Sequence, residues 1–285
     1  MGTGLRLLTV HAHADDETLT MGATLALLAD QGVATCLVTC TDGELATVYA
    51  ADMVEEEVRP RLGEIRRDEL RAAATALGVT ELHFLGYHDS GMAGADTNQA
   101  PHAFWRADLE EVTGRLVERI RAFRPQVVVT YDAYGGYGHP DHIQAHRGTV
   151  LAIEAAARPG MFAQAGEPWR VSKLYYTAFP LSLIRKAVAM AEAAGLPPPF
   201  GEQAPEEMEG IVPDEVVTTR VEARAGSARR RQALLAHHSQ IAMDFPLVAM
   251  PEEVMAEHFS TDHYELAWSR VPTTIPEADL FAGVR

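Results

Sequence analysis

The feature that most limits the fold is a change of character at one point near the start of the chain. Leu5-Arg6-Leu7-Leu8-Thr9-Val10 is almost continuously apolar, which predicts a strand buried on both faces. It breaks into His11-Ala12-His13-Ala14-Asp15-Asp16-Glu17-Thr18, with two imidazoles and three consecutive acids. Met21 to Gln31 then reads as a helix, stopped by Gly32. In an open α/β sheet, ligands gather at the C-terminal edge of the strands. Packing does not call for so polar a set there, and a helix cap needs only one oxygen, from Asp16 or Thr18. Crowded carboxylates repel unless a cation sits among them.

A second break of the same kind occurs far downstream. Val127-Val128-Val129-Thr130-Tyr131 runs into Asp132-Ala133-Tyr134-Gly135-Gly136-Tyr137-Gly138-His139-Pro140-Asp141-His142, and Ile143 to Ala157 reads as a helix. Taken alone, His-Pro-Asp-His could be an ordinary turn. Two strand ends of one parallel sheet can lie side by side, however, and then both clusters face one cleft.

Between these points the pattern is regular. Strands are expected at 33–40 and 81–86, with helices at 64–77 and 109–123. The stretch from Tyr87 to Ala107 is a long loop on the same edge as the clusters, and loops of that length are usually functional. This β-α alternation predicts a Rossmann-like, mostly parallel sheet with helices on both faces. Beyond Pro159 the rhythm loosens, with strands expected at 173–179 and 216–221 and helices at 181–194 and 226–238. The last thirty or so residues fit no clear element. The expectation is one domain over 1–285, with an α/β core at 1–160 and a C-terminal elaboration at 161–285 that completes the site.

Composition narrows the function. A formal charge of −16 argues against a phosphate-backbone binder, so no nucleic-acid partner is expected. No apolar run approaches a membrane span and no signal-type segment opens the chain. The two cysteines, Cys36 and Cys40, lie on one face of a strand at roughly 13 Å. That is too far to bridge, so they read as buried thiols in a reducing, cytoplasmic setting. A homo-oligomer is compatible with the sequence.

The clusters suggest metal-assisted hydrolysis. His13, Asp16 and His142 can supply two imidazoles and one carboxylate, leaving an open position for water. Asp15 is then free to act as a base. His139 as an imidazolium could steady an oxyanion, with Asp141 holding it charged, and Tyr137 could add a hydrogen bond. Each has a plainer alternative. His139 and His142 could exchange roles, Tyr137 could pack in its loop, Asp141 could cap a helix, and His11 could be packing or support.

These motifs resemble those of a known family. His11-Ala12-His13-Ala14-Asp15-Asp16-Glu17 is similar to the His-Pro-Asp-Asp-Glu signature of the PIG-L/LmbE deacetylases, and Gly136-Tyr137-Gly138-His139-Pro140-Asp141-His142 resembles their second motif. Asp89-Ser90-Gly91-Met92-Ala93-Gly94 and Arg66 to Leu70 resemble the mycothiol-pathway branch, which holds N-acetylglucosaminyl-inositol deacetylases and S-conjugate amidases. The similarity runs from residue 5 to about 180 and continues weakly through Ala233 to Gln240. It departs at Ala14, where the family has proline. It departs again where Gly43-Glu44 is followed by Leu45-Ala46-Thr47 in place of a second Gly-acid pair.

The resemblance implies an LmbE-like fold and a Zn2+ site, with Fe2+ as the alternative metal, on His13, Asp16 and His142. It implies Asp15 as general base, His139 tuned by Asp141 as electrostatic catalyst, Tyr137 as a mobile tyrosine, and Arg66 and Asp89 on sugar hydroxyls. The expected reaction is deacetylation of an N-acetylglucosaminyl glycoside, a small-molecule amino-sugar substrate, to free amine and acetate. An S-conjugate-type amidase is the near alternative. A non-haem iron oxygenase and a non-catalytic nucleotide-binding module are the distant ones, the last lacking a G-x-G-x-x-G after the first strand.

Overall fold

The computed structural model describes residues 3–193, 195 and 203–285. Its elements in chain order are β1 (Arg6–His11), α1 (Asp16–Asp30), β2 (Ala34–Thr41), α2 (Leu62–Leu77), β3 (Glu81–Tyr87), α3 (Leu109–Phe123), β4 (Val127–Thr130), α4 (Pro140–Ala156), β5 (Lys173–Thr177), α5 (Leu181–Ala193), β6 (Thr219–Glu222), α6 (Ser227–Ala236) and β7 (Thr261–Ser269). The Pro197-Pro198-Pro199 stop expected after α5 lies outside the described residues.

One seven-stranded sheet carries the fold, in the order β3-β2-β1-β4-β5-β7-β6. The first five strands in that order pair in parallel. β7 runs antiparallel to both its neighbours. The chain winds outward from β1 to β2 and β3, then crosses to β4 on the other side of β1. That reversal between β1 and β4 is a topological switch point, where neighbouring strand ends leave a crevice.

The apolar residues explain the layers. Leu8, Val10, Cys36, Val38 and Val128 face one side, under Val112, Leu116 and Ile120 of α3 and Ala152 and Ile153 of α4. Leu7, Val127 and Val129 face the other, under Leu25 of α1, Leu77 of α2 and Ala233 of α6. Cys36 and Cys40 share the first side and are free and buried, and burial pushes the Cys36 thiol up to about 12.

Two helices start three or more residues earlier than the sequence reading. α1 begins at Asp16, five residues before the expected Met21, because the Asp15 carbonyl already accepts the Thr18 and Leu19 N–H groups. The apolar pattern begins only at Met21, where the helix kinks with φ −147°. α4 begins at Pro140, capped by the His139 side chain. The unassigned tail supplies β7, which inserts between β5 and β6. Its pattern was hidden because a buried position is charged: Asp262 is satisfied by Arg230 and the Thr24 N–H. Among the described residues no helix is long and apolar enough to cross a membrane.

Candidate active site

β1 and β4 deliver both clusters to the switch point. His13 and Asp16 follow β1 across a tight turn, and His142 sits in the first turn of α4. Asp16 Oδ2 accepts the His13 N–H at 2.9 Å and the Tyr131 hydroxyl at 2.7 Å. Tyr131 Oη accepts the Ala12 N–H at 2.8 Å, tying the end of β4 to the end of β1.

Three donor atoms converge. His13 Nδ1 lies 3.2 Å from His142 Nε2 and 3.6 Å from Asp16 Oδ2, and His142 Nε2 lies 3.5 Å from Asp16 Oδ2. Metal bonds of about 2.0–2.1 Å would put tetrahedral ligands roughly 3.3–3.4 Å apart. The far nitrogens of both rings are committed as donors. His142 Nδ1 donates to the Gly135 carbonyl at 3.1 Å, and His13 Nε2 donates to Asp141 Oδ2 at 3.3 Å. Such partners fix which nitrogen faces an ion. Gly135 makes the first of these bonds feasible: its φ is +70°, and a Cβ there would meet His142 Cβ at 2.8 Å.

The electrostatics favour a cation. Burial alone raises the Asp16 carboxyl, but His142 and His13 hold it well below the usual range. Burial opposes charge on His13, yet Asp141, Asp16 and Asp89 raise it well above the ordinary imidazole value. Burial pushes His142 down to about 4 despite Asp16. A cluster that draws a proton onto one ligand while keeping the other neutral is a field suited to a divalent cation, whose binding displaces that proton. The donor set thus fits a metal.

Asp15 stands beside the triad with φ 112° and ψ −31°, outside the regions that L-residues favour. Burial pushes its carboxyl up to about 6, against the pull of Arg66. Arg66 is itself buried. Its Nη2 lies 3.3 Å from Asp15 Oδ2 and also donates to the Ala14 carbonyl, while Nη1 donates to the Gly43 carbonyl at 2.7 Å.

His139 differs from the sequence reading. The expectation was an imidazolium held by the Asp141 carboxylate. Instead, the Asp141 backbone N–H donates to His139 Nδ1 at 3.2 Å, so Nε2 carries the proton. Burial, reinforced by His13 and His142, pushes His139 down to about 4, outweighing the opposing field of Asp141. The Asp141 carboxylate takes the His13 bond, the Ser90 N–H at 2.9 Å and the Ser90 hydroxyl.

A cavity of about 650 Å³ opens over these groups. His13, Asp15, Asp16, Arg66, Asp89 and His139 are among the residues on its polar side. Phe179, Ile184, Met208, Phe245, Leu247 and Phe259, all beyond residue 160, contribute an apolar wall. Tyr137 is at the rim, 39% exposed, its ring centroid 5.0 Å from that of His142. Asp89 accepts the Gly91 N–H at 2.8 Å, and its Oδ1 is 3.8 Å from His13 Nε2. Eight of the nine expected site residues therefore line one cavity, and the ninth, Asp141, is fully buried behind His13. Tyr131, Ser90 and Gly135 were missed. Tyr131 and Ser90 act on partners far away in sequence, Asp16 and Asp141, and Gly135 acts through a backbone carbonyl that no side-chain pattern marks.

A family model described as GlcNAc-PI de-N-acetylase, PIG-L, matches residues 8–153, which include all nine. The chain belongs to the PIG-L family. Within it, a 1D-myo-inositol 2-acetamido-2-deoxy-alpha-D-glucopyranoside deacetylase of Geodermatophilus obscurus is 43% identical, over 98% of this chain and 98% of its own. The protein of the same name from Thermomonospora curvata is 43% identical, over 99% and 98%. Among solved structures, the N,N'-diacetylchitobiose deacetylase of Pyrococcus horikoshii shares the fold, with TM-score 0.59, 18% identity and coverage of 92% and 83%. So does GalB, the 4-carboxy-2-hydroxymuconate hydratase of Pseudomonas putida, with TM-score 0.62, 20% identity and coverage of 95% and 99%. A hydratase and a deacetylase on one fold illustrate that the reaction is set by the site and not the scaffold.

Proposed function

We propose that this PIG-L member is a zinc-dependent deacetylase that hydrolyses the acetamide of an N-acetylglucosaminyl glycoside, inositol-linked or similar, to free amine and acetate. The observation that carries the reading is the convergence of His13 Nδ1, His142 Nε2 and Asp16 Oδ2 beside the Asp15 carboxylate at the base of one cavity. The names of the 43%-identical relatives supply the substrate. His13, Asp16 and His142 would hold the cation. When bound, it supplies Lewis acidity towards the amide oxygen and the attacking water.

The chain's own residues do the rest. Asp15, raised to about 6, is ionised at neutral pH yet basic enough to take a proton from water. His139, neutral with its proton on Nε2, donates a hydrogen bond to the developing oxyanion. That replaces the imidazolium expected from sequence. Tyr137 contributes a second donor from the rim. Protonated Asp15 then delivers its proton to the leaving nitrogen. Arg66 and Asp89, which both line the cavity, would hold sugar hydroxyls. The Asp141 carboxylate supports His13, and through its N–H fixes the His139 tautomer.

The apolar wall favours a second reading, an S-conjugate-type amidase whose substrate carries an apolar group. An amine-release assay separates the two, using protein loaded with zinc or with ferrous iron. N-acetylglucosamine glycosides and thiol-conjugate amides are the substrates. Faster release from the glycosides supports the deacetylase, faster release from the conjugates supports the amidase, and no release from either overturns both.

A further inference from the structure

We infer that Glu17 and His237 form a buried positioning pair that aims Asp15, so that the C-terminal third acts on the chemistry through one imidazole. The inference rests on Asp15 being the base, as proposed above. Glu17 is the third acid of the first cluster, and His237 ends α6, 220 residues away. Both are fully buried. His237 Nε2 lies 2.9 Å from Glu17 Oε1, which also accepts the Thr18 hydroxyl. Glu17 Oε2 accepts the Asp15 N–H at 3.1 Å.

The Ala14–Asp15 peptide is therefore held at both ends. Its carbonyl accepts from Arg66 Nη2, and its N–H donates to Glu17. Fixing both groups fixes the plane from which the Asp15 side chain departs and sustains a φ of 112° that Asp15 would not keep unaided. Capping α1 would need only a carboxylate reaching back to the N–H before it. It would not need a buried imidazole from another part of the chain, whose burial with a carboxylate carries a desolvation cost. The segment bearing His237 is itself anchored: the Ser239 N–H and hydroxyl both donate to Glu69 of α2 at 2.7 Å.

The test compares zinc-loaded wild type, Glu17→Gln, His237→Ala, His237→Gln and His238→Ala. The last removes an exposed imidazole paired with Asp52 and serves as control. His237→Ala is expected to lower kcat by about 10²-fold, as a displacement near 1 Å can. KM should stay within about threefold, with metal content unchanged. Glu17→Gln should lower kcat in the same way, because an amide that accepts the Asp15 N–H turns an NH2, not an acceptor, towards a protonated His237 and the Thr18 hydroxyl. His237→Gln, which keeps an N–H near the Nε2 position, should recover most of the loss, and His238→Ala should match wild type. A crystal structure of His237→Ala should show Asp15 departing from its positive φ. Unchanged kcat in His237→Ala, activity lost in step with metal, no recovery in His237→Gln, or an Asp15 still at positive φ would each overturn the inference. If wild type releases no amine, the functional reading fails, and the Asp15 backbone in that crystal structure still decides this one.

Discussion

His13 Nδ1 and His142 Nε2 face each other at 3.2 Å, each with its other ring nitrogen already donating to a fixed acceptor. At most one proton can lie between them, and Asp141, Asp16 and Asp89 favour positive charge on His13, a charge that a bound cation would supply in the proton's place. Zinc should therefore raise Tm. At free zinc a hundredfold above Kd, the gain is about 2.7 kcal/mol. Asp16→Ala and His142→Ala should each abolish the zinc-dependent part of the shift in a thermal melt. A variant that keeps the full shift would remove that residue from the ligand set.

Asp15→Asn should retain one metal per chain and lose amine release by roughly 10²–10⁴-fold, the usual range for a positioned base. Metal analysis and a turnover assay on one preparation check this. Wild-type turnover would dismiss Asp15 as the base.

Gly43→Ala should be costly in spite of its small size. The residue has φ +64°, and an added Cβ would lie 2.1 Å from Arg66 Nη1. The backbone strain alone is about 1–3 kcal/mol, and Arg66 must leave the Gly43 carbonyl. Urea unfolding should show the loss, and KM should rise as Arg66 shifts.

His237 gives a stability signature in pH. Burial works against its charge, but Glu17 raises it above the ordinary value of 6.5. A raised folded-state value means that the stabilisation is fully present below 6.5 and is lost as pH rises through the folded value. The stability difference between wild type and His237→Gln, measured by urea unfolding, should shrink from pH 6 towards pH 9. A difference that stays flat would show that the imidazole is not charged there.

Lys173 and Glu277 tie the tail to β5. The pair is fully buried, and the Tyr175 hydroxyl donates to the second Glu277 oxygen at 2.7 Å. Glu277→Ala leaves a buried ammonium without its partner and should cost about 3–5 kcal/mol. A double change to Lys173→Met with Glu277→Leu should recover much of that loss in denaturant unfolding.

The sequence alone determined the strands at β1 to β4, the helices between them and the two polar clusters at strand ends. Those follow from short-range periodicity, which burial on both faces of a parallel sheet imposes directly on the residues. Likewise, His13, Asp15, Asp16 and His142 stood out because no local packing demand explains them.

Only the tertiary structure decided which nitrogen of each imidazole faces the ligand point, because Gly135 and Asp141 make that choice through space. It also moved the Asp141 carboxylate from His139 to His13, brought His237 to Glu17 and threaded Thr261–Ser269 into the sheet. The buried pairs Glu17–His237 and Lys173–Glu277 join residues more than a hundred apart in sequence. The tautomers of His142 and His139 depend on nearer groups, the Gly135 carbonyl and the Asp141 N–H, whose directions only the folded backbone sets. A chain's local pattern carries no record of them until the fold has closed.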